Sequence, residues 1–346
     1  MKKKHTIITI MSAICMFVLI LDVEVVFRAV QDGIDLCFKS VIPSVFPLML
    51  VSGILTKSII YTNTFYLTPL GRIWKLRKEE SSLWLTGILS GYPIGAKVIN
   101  DSCKEGAISR DTATYMLAFC SNCGPAFLFG MIGKTLDNSF APWMLWGIHI
   151  LSSILTGYIF RRKTATSTLA PISKNNKYRH IPESLRAIGN VCAWIIVFKI
   201  LLEFCEKWFL WNLPPVLQIA TKGFLELANG CLALKEIPLP GTRFILSSCM
   251  VSFGGLCVLM QTVSVTEHIG LGQYIPGKLF QFAVSFLAST AIQPLLYPST
   301  MRCSVNPWLL CGAVIYLILT TTFIFARKSK KVVAFHNKML YNASND

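Results

Sequence analysis

Ser90-Gly91-Tyr92-Pro93-Ile94-Gly95-Ala96-Lys97 interrupts an otherwise apolar stretch of the chain. Three further interruptions of the same kind follow: Cys120-Ser121-Asn122-Cys123-Gly124-Pro125, Glu226-Leu227-Ala228-Asn229-Gly230 and Ser252-Phe253-Gly254-Gly255. Two fall in each half of the sequence, in matching order. Inside a bilayer, unsatisfied backbone N–H and C=O groups are too costly to face lipid, so a broken helix persists only where protein or a wet cavity satisfies them. Paired interruptions in two halves are the sequence mark of a secondary transporter's binding site.

Composition supports a membrane setting. Of the 346 residues 53% are hydrophobic and 14% charged, with mean hydropathy +0.55, more apolar material than a soluble core of this size can hide. Windows of spanning length cover residues 7–27, 41–61, 112–134, 140–160, 187–210, 242–263, 274–297 and 307–325. Weaker, glycine-broken windows cover 81–103 and 214–235.

The net charge of +16 is distributed in a way that argues against nucleic acid as a partner. Basic residues cluster between apolar windows: Lys2–Lys4; Arg72, Lys75, Arg77 and Lys78; Arg161–Lys163 with Lys174, Lys177, Arg179 and Arg186; and Arg327, Lys328, Lys330 and Lys331. This is the positive-inside pattern, and anionic lipid headgroups would hold these clusters at the cytoplasmic face. Both termini are therefore expected in the cytoplasm. No small-residue cleavage site follows Lys2–Lys4, which predicts a retained first helix rather than a signal peptide. The twelve cysteines sit mostly in apolar windows and read as small hydrophobes. Cys120 and Cys123 have redox or zinc spacing without a second Cys/His pair nearby.

The basic clusters also constrain topology. Between those at 72–78 and 161–163 lie three apolar segments, an odd number that cannot return the chain to the side it left. The segment at 81–103, broken by SGYPIG and polar in its second limb, is expected to be re-entrant from the cytoplasm. The five segments between 186 and 327 require the same of 214–235, from the opposite side. The expected fold class is an all-α polytopic integral membrane protein with about eight transmembrane helices and two re-entrant hairpins in an inverted-topology repeat. The expected divisions are an N-terminal helix and connector (1–40), a first repeat (41–160), a basic cytoplasmic loop (161–186), a second, inverted repeat (187–297) and a last helix with its tail (298–346).

The candidate substrate-binding residues cluster at the breaks. Gly91, Gly95, Gly124, Gly230, Gly254 and Gly255 let backbone approach a ligand with no Cβ in the way, although single glycines also serve close helix packing. Half-helix N-termini attract anions. Lys97 is either the counter-ion of an anionic substrate or the i,i+4 partner of Asp101. Glu226 and Asn229 either bind a cation or proton in the second hairpin, or Glu226 pairs structurally with Lys222. Tyr92, Ser121, Asn122, Ser252 and Gln261 add hydrogen-bonding groups at or near the breaks. Lys199, Glu203, Glu206 and Lys207 read as an ion-pair stripe through Lys199–Glu203 and Glu203–Lys207 pairs. The scattered histidines form no metal motif, and there is no Walker motif or nucleophile elbow, so neither an enzyme nor an ATP-driven pump is expected. No cofactor or metal is expected. The coupling ion, proton or sodium, stays open, and an oligomer is compatible with the sequence.

VIPSVFPLMLVSGIL (41–55), SGYPIGAK (90–97), EGAISRDTATYMLAFCSNCGPAFLFGMIG (105–133), ELANG (226–230) and SFGGLCVLMQ (252–261) together resemble the sporulation integral membrane proteins of endospore-forming Firmicutes. That family carries a nucleoside-recognition (Gate) domain and is similar to concentrative nucleoside transporters. The resemblance covers roughly residues 41–281. It implies a role in late sporulation and, for the stage V dipicolinate-transporter type, movement of dipicolinic acid from the mother cell toward the forespore across the outer forespore membrane. Nucleoside contacts of the transporters map only loosely onto Asn122, Glu226 and Asn229. The competing readings are a nucleoside or nucleobase transporter and a non-transporting membrane scaffold of sporulation.

Overall fold

The structure, a computed structural model, describes residues 2–62, 68–161 and 180–298. The expected span at 307–325, the basic residues beyond it and most of the central loop lie outside these residues. Among the described residues every regular element is helical.

The chain opens with α1 (Lys2–Leu21), broken at Asp22 (φ −130°, ψ 47°) before α2 (Val23–Leu36), which passes through a π-helical turn (Cys37–Val41) into α3 (Ile42–Thr62). The connector expected before residue 41 is thus helical. The reason is its amphipathic spacing: Val25, Ala29, Gly33 and Leu36 fall on one face and are buried, whereas Glu24, Arg28, Asp32 and Asp35 are exposed. That buried face lies on α10 (His180–Trp208).

The ion-pair stripe predicted on α10 keeps its Lys199–Glu203 pair and gains partners from outside the helix. Lys199 holds Glu203 at 2.7 Å and Asp32 of α2 at 3.5 Å, and Glu206 holds Lys222 at 2.9 Å. Lys207 pairs with Asp22 instead of Glu203. The acids of α2 were the missing half of the stripe, which staples α2 to α10.

After α4 (Thr68–Trp74), the first half continues as α5 (Lys78–Ser90), α6 (Ile94–Lys104), α7 (Arg110–Cys120), α8 (Pro125–Gly130) and α9 (Ala141–Ile159). The second half, beginning with α10, continues as α11 (Pro215–Leu225), α12 (Leu227–Ala233), α13 (Pro240–Phe253), α14 (Gly255–Val265) and α15 (Tyr274–Leu296). Each of the four interruptions falls between two helices. Local chemistry fixes several ends: Ser109 Oγ accepts from Thr112 N–H at 3.1 Å and caps α7. Pro125 opens α8, and Gly254, at φ +86°, closes α13.

The limbs α5, α6, α11 and α12 have 13, 11, 11 and 7 residues. At about 1.5 Å per residue the longest reaches roughly 20 Å, short of the ~30 Å hydrocarbon core. α5 folds back on α6 and α11 on α12. In the first pair a Cβ on Gly95 would stand 3.0 Å from Gly87 Cα; in the second, Gly230 packs against the backbone of Gly223 in the same way.

Four apolar helices among the described residues are long enough to cross a bilayer: Val23–Val51, Ser184–Trp208, Pro240–Val265 and Tyr274–Leu296. α9 is comparable in length at 19 residues, but His149, Ser152, Ser153 and Thr156 dilute its hydropathy. All four of these polar residues are buried.

α9 packs on α13 and α15, α15 also packs on α7, and α3 packs on α10. An aromatic group ties α4, α5 and α7 to α9. Trp74 stands 5.4 Å from Trp84 and 4.9 Å from Phe119 between ring centroids. Trp74 Nε1 donates to Ile154 O at 3.1 Å, Trp84 Nε1 to Ser153 Oγ at 2.7 Å, and Tyr115 OH to Gly157 O at 2.5 Å.

Candidate functional site

The breaks converge. A cavity of about 60 Å³ is lined by Ser90, Gly91 and Tyr92 from the first break, Cys123 and Gly124 from the second, and Glu226, Leu227 and Ala228 from the third. Val258 and Gln261 of α14 close another side, and Val41, Val45, Leu48, Phe127, Val191 and Ile195 supply apolar wall. The fourth break abuts the cavity indirectly, because a Cβ on Gly254 would lie 3.3 Å from Tyr92 Cζ.

Gly91 shows why the first two breaks can meet. Its backbone (φ 86°, ψ −177°) occupies a region that is essentially restricted to glycine, and a Cβ there would stand 2.8 Å from Gly124 N.

A buried hydrogen-bond network joins the second and fourth breaks. Cys123 N–H donates to His149 Nε2 at 3.0 Å, His149 Nδ1 lies 3.4 Å from Ser252 Oγ, and Ser252 Oγ lies 2.5 Å from Ser285 Oγ. Asn122 Nδ2 donates to Phe119 O at 2.6 Å and to Ser153 Oγ at 3.3 Å, and its Oδ1 accepts from Gln281 Nε2 at 3.4 Å. Freed carbonyls and N–H groups are thereby satisfied inside protein.

Glu226 is 2% exposed and its oxygens accept from Ala228 N at 3.0 Å, Asn229 N at 2.7 Å and Asn229 Nδ2 at 2.8 Å. It is the N-cap of α12 and at the same time a cavity-lining residue. Lys222, its partner in the alternative structural reading, pairs with Glu206 instead.

Of the residues singled out by sequence, Gly91, Tyr92, Gly124, Glu226 and Gln261 line the cavity. Ser121, Asn122 and Ser252 are buried outside its lining, and Asn229 and Gly230 stand on α12 beside it. Gly95 packs against the Cys120 carbonyl, and a Cβ on Gly255 would stand 3.0 Å from Gly223 O. Lys97 pairs with Asp101 at 2.5 Å, with 27% of its side chain exposed, and does not line the cavity. Cys120 and Cys123 are free thiols, and no metal-holding cluster of His, Cys, Asp and Glu occurs among the described residues.

The sequence reading missed Lys278. It is 1% exposed, and its Nζ donates to Tyr92 OH at 2.8 Å, to Gln281 Oε1 at 2.6 Å and to the Ser121 carbonyl. The nitrogen also stands 4.8 Å from the Tyr92 ring centroid and 5.9 Å from that of Tyr274. Its sequence signal is the buried polar row Lys278, Gln281, Ser285 and Ser289 on one face of α15. This row matches His149, Ser152, Ser153 and Thr156 on α9, which packs against it.

The chain is 25% identical over 283 residues to the sporulation integral membrane protein YlbJ of Bacillus subtilis (strain 168), a match covering 72% of this chain and 68% of that protein. No family model matches. No solved structure matches. This likeness and the four long apolar helices make the chain an integral membrane protein similar to a sporulation membrane protein.

Proposed function

We propose that this protein is a secondary transporter of sporulating cells that carries a small organic anion, with dipicolinic acid as the leading substrate, from the mother cell toward the forespore. The observation that carries the proposal is the convergence of separate helix breaks on one partly polar cavity. A purely structural scaffold has no need to bring Gly91, Gly124 and Glu226 to the same small space.

The proposed architecture is the inverted-topology repeat, with α5–α6 and α11–α12 as re-entrant hairpins and about eight spanning helices in the full chain. The matched order of elements supports it: long helix, short-limbed hairpin, broken helix, long helix, twice over. So do the reciprocal packings of α7 on α15 and α13 on α9, with α9 against α15 and α3 against α10 between the halves. Exposed Phe140 and Trp143 at the start of α9, and Trp208, Phe209 and Trp211 at the end of α10, suit one aromatic belt on the side away from the cytoplasm.

A cavity of about 60 Å³ is well below the ~150 Å³ engineered cavity that admits benzene. An aromatic dicarboxylate therefore needs a wider state, as alternating access entails. The deciding experiment is uptake of labelled dipicolinate by proteoliposomes under proton or sodium gradients, with labelled uridine alongside. Dipicolinate accumulation is expected; uridine accumulation alone would favour the nucleoside reading, and neither would favour the scaffold.

A further inference from the structure

We propose that Lys278 is the anion-recognising residue of this site, and that it binds a carboxylate of an organic anion with an aromatic or apolar body. The inference rests on the cavity being a solute site and adds the charge that selects the solute.

The three partners of Lys278 Nζ all act as acceptors. Ser121 O and Gln281 Oε1 can only accept, and the Tyr92 hydroxyl spends its own proton on Val251 O at 3.2 Å. An ammonium supplies three N–H donors, one for each of these contacts. No carboxylate lies within ion-pair distance of this ammonium among the described residues. A lysine in the early turns of a spanning helix ordinarily snorkels to the interface. This one turns inward to nearly complete burial, where an uncompensated charge is costly.

Tyr92 links the charge to the cavity. It is part of the cavity lining, and its hydroxyl accepts from Nζ of Lys278, a residue outside the lining. When the cavity widens, displacing that one neutral acceptor lets a ligand carboxylate take its place, and a charge-assisted bond is roughly twice as strong as a neutral one. The rest of the wall is mostly apolar, with Val41, Val45, Leu48, Phe127 and Ile195, and has Glu226 and Gln261 among its polar residues; it suits an organic body rather than inorganic phosphate.

The test compares benzoate with its neutral isostere benzamide as ligands that stabilise the purified full-length protein in detergent. Wild type is expected to unfold at higher temperature with benzoate and to respond much less to benzamide. In Lys278→Met and Lys278→Gln the apparent affinity for benzoate should fall at least tenfold, with the benzamide response kept. Should the Met variant fail to fold, the Gln variant, which keeps a hydrogen-bonding head, decides. Benzoate selectivity that survives in Lys278→Gln, or is absent from wild type, overturns the proposal. Vesicle uptake separates the two readings. Lys278-dependent binding without accumulation removes the carrier and leaves the anion site, whereas accumulation untouched by Lys278→Gln leaves the carrier and removes the site.

Discussion

Lys278 and Tyr92 lie 186 positions apart in sequence and meet at 2.8 Å in the interior. The bond ties α15 of the second half to the first break of the first half. Because Tyr92 also donates to Val251 O at 3.2 Å, one phenol joins three segments: the α5–α6 turn, α13 and α15.

Tyr92→Phe keeps the ring and removes both bonds. Interhelical hydrogen bonds in membrane proteins average ~0.6 kcal/mol, with a maximum near ~1.7. The variant should therefore lose roughly 1 kcal/mol of stability, read as a lowered unfolding temperature in detergent. An unchanged temperature would mean that the phenol does not hold these segments together.

Gly91 and Gly106 both have positive φ, at 86° and 75°, but a Cβ on Gly91 would press on Gly124 N at 2.8 Å whereas one on Gly106 would meet nothing within 4 Å. Gly106→Ala should therefore cost only the conformational term, roughly 1–2 kcal/mol. Gly91→Ala should cost more, because forcing an essentially glycine-only conformation costs ~1–3 kcal/mol and the second break must also shift. Equal losses in thermal unfolding would show that the first two breaks are not packed against each other.

Lys97 and Lys278 offer a direct contrast. The first is held by Asp101 on its own helix at 2.5 Å, and the second is buried without an acidic partner among the described residues. An i,i+4 pair on a helix surface is worth ~0.3–0.5 kcal/mol, so Lys97→Ala should be nearly neutral for stability and keep most of the anion uptake. Lys278→Gln should lose it. Loss of uptake in Lys97→Ala at normal protein levels would return Lys97 to the substrate path.

The breaks were legible because glycine, proline and small polar residues inside apolar windows leave few structural options: SGYPIG and CSNCGP could not continue as helices. What joins the breaks was less legible. Lys278 sits in the early turns of an apolar window, where a lysine reads as an interfacial anchor, and only its inward rotamer reveals otherwise. His149 looked isolated because its partners, Cys123 N–H and Ser252 Oγ, belong to distant segments. The helical nature of the connector is harder to read, because it shows only in the spacing that leaves one face of α2 free of acids to lie on α10. Glu226 was recognised as a polar break residue. Its capping of α12 depended on a helix start one residue later than its own position, which composition alone does not fix.

The hairpin reading makes the sharpest demand on topology. α5 and α6 are each too short to cross the hydrocarbon core and fold back on one another, so their outer ends should share a face of the membrane. Lys75, ahead of α5, and Lys104, at the end of α6, are both exposed. In a background without native cysteines, Lys75→Cys and Lys104→Cys should both react with a membrane-impermeant maleimide only from the cytoplasmic face. Asn212 and Glu236 flank α11–α12 in the same way and are also exposed; cysteines there should react only from the opposite face. The two pairs act as each other's control, since a single folding error would not reverse one pair and spare the other. Labelling of Lys75→Cys and Lys104→Cys from opposite faces would make α5–α6 a crossing, break the parity set by the basic clusters, and with it remove the inverted relation between the halves.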